Sequence, residues 1–384
     1  MKYKQLGKSD LKVSSICLGT MTMGTQNNKE QSYDIMDFAY NKGVNFIDTA
    51  EQYPSPSSEN LYGITEKIVG EWISKKKIRR NVILASKMSG PGVPWIRKGG
   101  LQYNSNNIKQ AVEGSLKRLN TDYIDLYQLH WPERFYKKFA FDENLRLDEN
   151  YNNFEEILST FQILIKEGKI RYLGLSNENL SGLKKYIELS KKNNFPEIVS
   201  MQNRYNLIYR NYDPELINFC KINQISFLGY SPLAFGMLTE KYFSNIKANS
   251  RLELYPDYFN RYSGKASKNA VIKYLNLSRS NKLELAQMSL SYCVNKSFLT
   301  SSIIGSTNLK QLSEIIESVN IELNQKIIEK INFIHSENIN PTLEREFKLY
   351  NYFKRAAKLI FDGRFFDFYK KSVKFFKKLL RLNQ

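Results

Sequence analysis

Four residues of unlike chemistry occupy one kind of place in this 384-residue chain. Asp48, Tyr53, Lys87 and His130 each stand at, or just beyond, the C-terminal end of a short run of branched and aromatic residues. A carbonyl carbon that accepts a hydride leaves negative charge on its oxygen, and that oxygen needs a proton. Tyr is a weak acid with an ordinary pKa of about 10. A neighbouring ammonium favours its phenolate and lowers that value. Lys87 is able to supply the ammonium, Asp48 to hold Lys87 charged and oriented, and His130 to donate a hydrogen bond to the carbonyl oxygen. That is general acid catalysis with oxyanion stabilisation. Taken singly, an Asp, Lys or His at a strand end is more often a cap or a satisfied polar group. Four of the right types in this order form a pattern.

The elements that must position them come next. Candidate strands are Ser14–Gly19, Asn45–Ala50, Val82–Met88, Asp125–His130, Ile170–Ser176, Val199–Gln202, Ile225–Ser231 and Ser301–Gly305. Several are apolar on both faces, as in Val82-Ile83-Leu84-Ala85, which suits a buried parallel strand. Helix patterns lie between them: Lys29–Lys42 with Gly43 as its stop, Asn104–Leu119 with Asn and Ser cap candidates, and Phe154–Gly168. Eight strands alternating with helices predict an α/β fold, a closed (β/α)8 TIM barrel, with an open doubly wound sheet as the lesser alternative. Two long connections, from Trp131 to about Tyr151 and from Pro232 to Gly264, follow strand C-termini, where barrel enzymes build their sites.

Composition narrows the setting. The N-terminus is too polar for a secretory signal, and no apolar run approaches the roughly 20 residues that span a bilayer. Three scattered cysteines and two histidines argue against a disulfide framework or a metal site, so no metal is expected and a reducing cytoplasm is the simplest location. The net charge of +19 favours anionic partners. Pro341 to Gln384 holds twelve Lys/Arg and four Asp/Glu, so this stretch alone carries +8.

The stretch Asp48-Thr49-Ala50-Glu51-Gln52-Tyr53 resembles the Asp-Thr-Ala-x-x-Tyr motif of the aldo-keto reductases. Leu18-Gly19-Thr20-Met21-Thr22-Met23-Gly24, Leu84-Ala85-Ser86-Lys87, Asp122 through His130-Trp131-Pro132, Gly168 through Asn177, and Tyr230-Ser231-Pro232-Leu233 look like further signatures of that family. The resemblance covers roughly residues 1–335, leaving 336–384 as a C-terminal extension. It implies a barrel enzyme that reduces an aldehyde or ketone, sugar-derived ones among them, to an alcohol. Tyr53 would be the acid, Asp48 and Lys87 its tuning pair, His130 the residue that orients substrate, and Trp131 part of the substrate pocket.

No Gly-x-Gly-x-x-Gly opens a βαβ unit, since Gly19 and Gly24 are too far apart. That agrees with the resemblance, which implies a nicotinamide cofactor extended across the barrel mouth. Carried over motif by motif, Gly19, Thr20, Met21 and Asp48 would border it. Tyr230 would stack on the nicotinamide, although a packed strand aromatic is an equal reading of that residue. Ser176, Asn177 and Gln202 would hold the carboxamide. Ser231, Pro232, Leu233, Gly236, Leu238, Thr239 and Lys241 would fold over the pyrophosphate. Gly305, Ser306, Thr307, Gln311 and Glu314 would take the adenosine end, at a helix N-terminus suited to phosphate. Many family members have Arg where this chain has Thr307, and Asn where it has Ile315. The first change removes a cation from the 2′-phosphate. Ser306, Thr307 and Lys310 are placed to compensate. NADPH is expected, with NADH admissible.

In Arg364–Leu382, Phe366, Tyr369, Val373, Phe376 and Leu380 recur at helical spacing, with lysines opposite. Packing on the barrel or on a second subunit, peripheral attachment to an anionic membrane, and nonspecific nucleic-acid binding compete as readings of this stretch. Specific nucleic-acid recognition is not expected. Two functional alternatives to a carbonyl reductase remain: a cofactor-binding module that senses redox state, and a dehydrogenase working in the oxidative direction.

Overall fold

The computed structural model describes residues 1–90, 93–99, 102–133, 153–210, 214–243 and 250–342. The basic amphipathic stretch Arg364–Leu382 lies outside these residues, as do most of the connection after His130 and part of the one after Pro232.

Two short strands, β1 (Tyr3–Gln5) and β2 (Lys12–Ser14), form an antiparallel hairpin. The barrel strands are β3 (Ile16–Gly19), β4 (Phe46–Asp48), β5 (Ile83–Met88), β6 (Ile124–Leu129), β7 (Ile170–Ser176), β8 (Ile198–Arg204), β9 (Ser226–Tyr230) and β10 (Leu299–Ile304). All eight pair in parallel and close, β10 joining β3, in the order β10-β3-β4-β5-β6-β7-β8-β9. The closed barrel is therefore the fold, and the open sheet is not. The expected first strand, Ser14–Gly19, is cut in two. Ser14 ends the hairpin opposite Tyr3, and the barrel strand starts at Ile16.

The helices are α1 (Lys29–Asn41), α2 (Ile64–Lys76), α3 (Ser105–Leu119), α4 (Phe154–Lys166), α5 (Leu180–Asn193), α6 (Pro214–Ile222), α7 (Arg251–Leu254), α8 (Lys265–Ser280), α9 (Leu285–Val294), α10 (Leu309–Glu317) and α11 (Gln325–Glu337). Asn28, Asn104, Asn179, Asn308 and Asn324 cap five of them, each accepting from the backbone N–H three residues on. Such caps contribute about 0.5–2 kcal/mol each. Helices α8 and α11 pack on each other, and Lys273 of α8 pairs with Glu337 of α11 at 2.9 Å. Among the described residues, no helix is long and apolar enough to cross a membrane.

Strand periodicity explains how one barrel holds both a core and a site. Residues two apart share a face. Phe46 precedes Asp48, Ala85 precedes Lys87, Leu126 precedes Gln128 and His130, and Leu228 precedes Tyr230. The apolar members of these pairs form one buried cluster with Leu6, Leu11 and Val13 of the N-terminal hairpin region, which fills the N-terminal end of the barrel. The polar members sit two residues further on, at the C-terminal mouth.

Candidate active site

Lys87, fully buried on β5, donates a 2.6 Å hydrogen bond to Asp48 Oδ2 at the end of β4, and another of 2.9 Å to the Thr49 carbonyl. The other carboxylate oxygen, Oδ1, accepts from Gln202 Nε2 at 2.8 Å and Gln128 Nε2 at 3.3 Å. Gln202 Nε2 also donates to Gln128 Oε1 at 3.1 Å. Both amide hydrogens of Gln202 are thus engaged, and its Oε1 is left to accept. Gln128 was not anticipated from sequence. It belongs to the His130 strand face, two residues earlier, and that spacing was the signal for it.

Ladder-like hydrogen bonds continue past the strand ends and fix the mouth. Thr20 donates from N and Oγ1 to the Asp48 carbonyl, Glu51 N to the Lys87 carbonyl at 3.1 Å, and His130 N to the Met88 carbonyl at 3.0 Å. Tyr53 follows on the loop that leaves β4. Its ring centroid lies 5.1 Å from Lys87 Nζ and 5.7 Å from the His130 ring, edge to face at 78°.

The electrostatics differ from the simple expectation. Burial pushes the Tyr53 phenol well above its ordinary value, and the Asp48 carboxylate adds to this. The Arg251 guanidinium works the other way without reversing the direction. Tyr53 therefore stays protonated at neutral pH, the form a proton donor needs. Burial also pushes His130 well below the usual imidazole range, and the Lys87 ammonium adds to that. His130 is a neutral imidazole, and its Nδ1 has no hydrogen-bond partner among the described residues.

A second chain of hydrogen bonds reaches the far side of the mouth. Tyr230 Oη donates to Asn177 Oδ1 at 2.7 Å, and Asn177 Nδ2 donates to the His130 carbonyl at 2.8 Å and to Ser176 Oγ at 3.2 Å. Ser176 Oγ donates to the Gln202 carbonyl at 3.0 Å.

These groups open onto a cavity of about 920 Å³ that runs from Tyr53 and His130 to the N-terminus of α10. Its walls include Gly19, Met21, Asp48, Trp131, Ser176, Asn177, Gln202 and Tyr230, and then Ser231, Pro232, Leu233, Gly236, Thr239 and Lys241. Gly305, Thr307, Gln311 and Glu314 line the far end. Three residues expected at the cofactor do not reach the wall: Thr20 and Leu238 are fully buried, and Ser306 turns its hydroxyl to the Asn308 carbonyl at 2.6 Å. Lys87 lies beneath the wall.

Four basic residues line the cavity: Lys241, Arg251, Arg261 and Lys310. Lys241 and Arg251 have no ion-pair partner among the described residues; Arg251 Nε donates to Gln26 Oε1 at 3.2 Å. Burial, with Arg251 nearby, lowers Lys241 to about 8. Burial lowers Arg251 as well. A carbon added at Gly236, which sits at φ +93°, would lie 2.3 Å from Lys241 Cε, so glycine there lets the lysine cross the loop. Unpaired cations held in a cavity are stabilised by an anion. The pair fits a diphosphate or a phosphorylated ribose. Arg251 was missed because it lies deep in a long connection with no motif around it.

Glu51, the first of the two variable positions in the Asp-Thr-Ala-x-x-Tyr motif, is buried and pairs with Arg97, while its other oxygen accepts from Ser89 N at 2.9 Å. This ties the segment after β5, which carries Val93 and Trp95 into the cavity wall, to the Tyr53 loop.

A sequence model of the aldo/keto reductase family matches residues 15–335. The chain is 37% identical to "Protein tas" of Escherichia coli (strain K12) over 321 residues, 81% of this chain and 91% of that protein. It is 37% identical to an "Aldo-keto reductase" of Babesia bovis over 250 residues, 61% of this chain and 87% of that protein. It is 30% identical to "Uncharacterized oxidoreductase YrpG" of Bacillus subtilis (strain 168) over 320 residues, 82% of this chain and 90% of that protein.

Proposed function

This chain belongs to the aldo/keto reductase family, and on that premise we propose that it reduces an aldehyde or ketone with NADPH, Tyr53 giving the proton. An NAD(P)H-dependent oxidoreductase acting on small-molecule carbonyls is what the family membership establishes. The observation that carries the finer reading is one cavity with two ends. A protonated phenol beside a neutral imidazole lies over the Asp48–Lys87 pair at one end, and further along lie Lys241 and Arg251, which have no ion-pair partner among the described residues.

When bound, the nicotinamide supplies the hydride. His130 donates a hydrogen bond to the substrate oxygen and orients it. Tyr53 passes its phenolic proton to that oxygen as charge develops there. Lys87, held by Asp48 and the Thr49 carbonyl, stabilises the phenolate that remains, and solvent restores the proton. Gln202 Oε1 would accept from a carboxamide N–H. Lys241 and Arg251 would hold phosphate, and their charge supports NADPH despite Thr307 in place of Arg.

The test is direct. Absorbance loss of NADPH and of NADH is followed with a panel of aldehydes, ketones and aldoses. Turnover of several carbonyls with NADPH preferred is expected. Absence of carbonyl-dependent oxidation of either cofactor, despite binding, would sink the reading in favour of a sensing module.

A further inference from the structure

Gln128 is fully buried on β6 and does not line the cavity, yet both ends of its amide are engaged by residues that do. Its Nε2 donates to Asp48 Oδ1 at 3.3 Å, and its Oε1 accepts from Gln202 Nε2 at 3.1 Å. Gln202 Nε2 donates in turn to Asp48 Oδ1 at 2.8 Å, so the three side chains close a ring. Phe46, Ala85 and Leu126, each two residues earlier on its strand than Asp48, Lys87 and Gln128, are apolar. An amide in this interior is costly to bury without such bonds.

The strand register makes room for the reach. Gln128 lies opposite Lys87 on β5 and Gly174 on β7, and Gln202 stands on β8, the strand beyond. A carbon added at Gly174 would come within 3.1 Å of Gln128 Cγ and 2.4 Å of Ser200 Oγ. Because β7 puts no side chain at this level, Gln128 crosses to Gln202.

The ring also sets which way Gln202 faces. An ionised carboxylate only accepts, so both amides at Asp48 Oδ1 turn N–H to it. That leaves the Gln128 oxygen toward Gln202, where it takes the second hydrogen of Gln202 Nε2. The Gln202 amide then has two anchors, and its Oε1 is left to accept at the cavity wall that Gln202 lines.

We propose that Gln128 is a positioning residue for the cofactor, fixing the Gln202 amide with its oxygen toward the nicotinamide carboxamide. This rests on the reading above that Gln202 Oε1 accepts from that carboxamide. Without the Gln128 oxygen, the Gln202 amide keeps one anchor and carries an unspent N–H. The loss falls on the nicotinamide end and leaves the phosphates at Lys241 and Arg251 as they were.

The experiment measures calorimetric Kd values for NADP+ and for ADP-ribose 2′-phosphate, which is NADP+ without its nicotinamide. Wild type, Gln128→Met, Gln128→Glu and Gln202→Met are compared. Gln128→Met keeps the length of the side chain and removes both bonds. It should weaken NADP+ by roughly three- to tenfold, the size of one hydrogen bond, and ADP-ribose 2′-phosphate by less than about twofold. A glutamine that only filled the barrel would move both ligands alike.

Gln128→Glu tests the donor–acceptor sense, independently of how well Gln128→Met folds. Protonated, the introduced carboxyl donates to Asp48 and accepts from Gln202 as the amide does. Ionised, it sets a second negative charge against Asp48. Burial and Asp48 raise such a carboxyl from its ordinary value of about 4.3. Asp48 and Lys87 are the charged groups beside it. Cys17, Tyr53 and His130 around that pair stay neutral between about pH 5.5 and 7.5, burial pushing the first two well up and the third well down. The NADP+ Kd of Gln128→Glu, relative to wild type, should therefore be near one at the acid end and rise with pH. Equal weakening of the two ligands by Gln128→Met would overturn the proposal, as would weakening by Gln128→Glu that does not ease as pH falls. An NADP+ Kd changed by Gln202→Met and not by Gln128→Met would overturn it alone, whereas no change in either variant would remove the carboxamide reading with it.

Discussion

Lys87 Nζ and Asp48 Oδ2 lie 2.6 Å apart with neither side chain open to water, and this pair sits directly under the Tyr53 ring. A buried ion pair whose one member is removed leaves an uncompensated charge, at a cost of about 3–5 kcal/mol. Lys87→Met is expected to lower unfolding free energy by roughly that amount in urea titrations, and kcat by at least ~10²-fold. Asp48→Asn combined with Lys87→Met should regain most of the stability and none of the activity. A double variant as unstable as the single ones would show that the two residues are not energetically coupled.

Cofactor affinity should depend on pH through Lys241. Its pKa is lowered to about 8 by burial and by Arg251, and a bound phosphate must raise it. Below pH 8 the ammonium is present before binding, so affinity is level there. Above pH 8 binding takes up a proton, and affinity falls as pH rises. Titration calorimetry at pH 8.5 in buffers of different ionisation enthalpy should report net proton uptake with NADPH. Lys241→Met should abolish the uptake, and Arg251→Ala should weaken NADPH more than NADH. Proton release, or no buffer dependence, would remove Lys241 from the phosphate site.

Gly90 predicts a geometric defect. A methyl group there meets the Trp131 indole at 2.7 Å and Tyr103 Oη at 2.8 Å, and the Tyr103 hydroxyl is held by the Trp131 carbonyl at 2.6 Å. Gly90→Ala should push Trp131 toward the catalytic oxygen position, lowering kcat/KM for bulky carbonyls by about tenfold or more. NADPH affinity should stay close to wild type. Unchanged kinetics would show that Trp131 does not shape the pocket.

Acid should destabilise the protein through His130. Its folded pKa is depressed by burial and then by Lys87, while an unfolded histidine titrates at about 6.5. As pH falls through that value, the unfolded chain takes up the proton that the folded one refuses. The stability present above pH 6.5 is therefore lost progressively as pH falls. His335, lowered to about 4, acts in the same direction. His130→Asn should flatten the decline in urea midpoint between pH 6.5 and 5. An identical decline in the variant would assign the effect elsewhere.

The barrel was legible because its strands are near-continuous apolar runs ending in polar residues, and that spacing also marked Asp48, Lys87 and His130. The β1–β2 hairpin was not, since its strands are three residues each and carry no apolar alternation of their own. Gln128 could have been read from strand parity with His130. The direction of the Tyr53 pKa could not, because it depends on burial and on the nearby Asp48 carboxylate, which only the assembled mouth determines. Arg251 and the Glu51–Arg97 pair depend on segments distant in sequence meeting at the cavity rim.

The central claim is that Tyr53 delivers the proton while the hydride reaches the carbonyl carbon in this cavity. Single-turnover transfer of deuterium from NADPH labelled at nicotinamide C4 to an aryl aldehyde, in wild type and in Tyr53→Phe, tests it most directly. The account predicts label on the product carbinol carbon with wild type, a rate at least ~10²-fold lower in the variant, and NADPH fluorescence quenching unchanged between them. A Tyr53→Phe variant that transfers deuterium within a few-fold of the wild-type rate would contradict it.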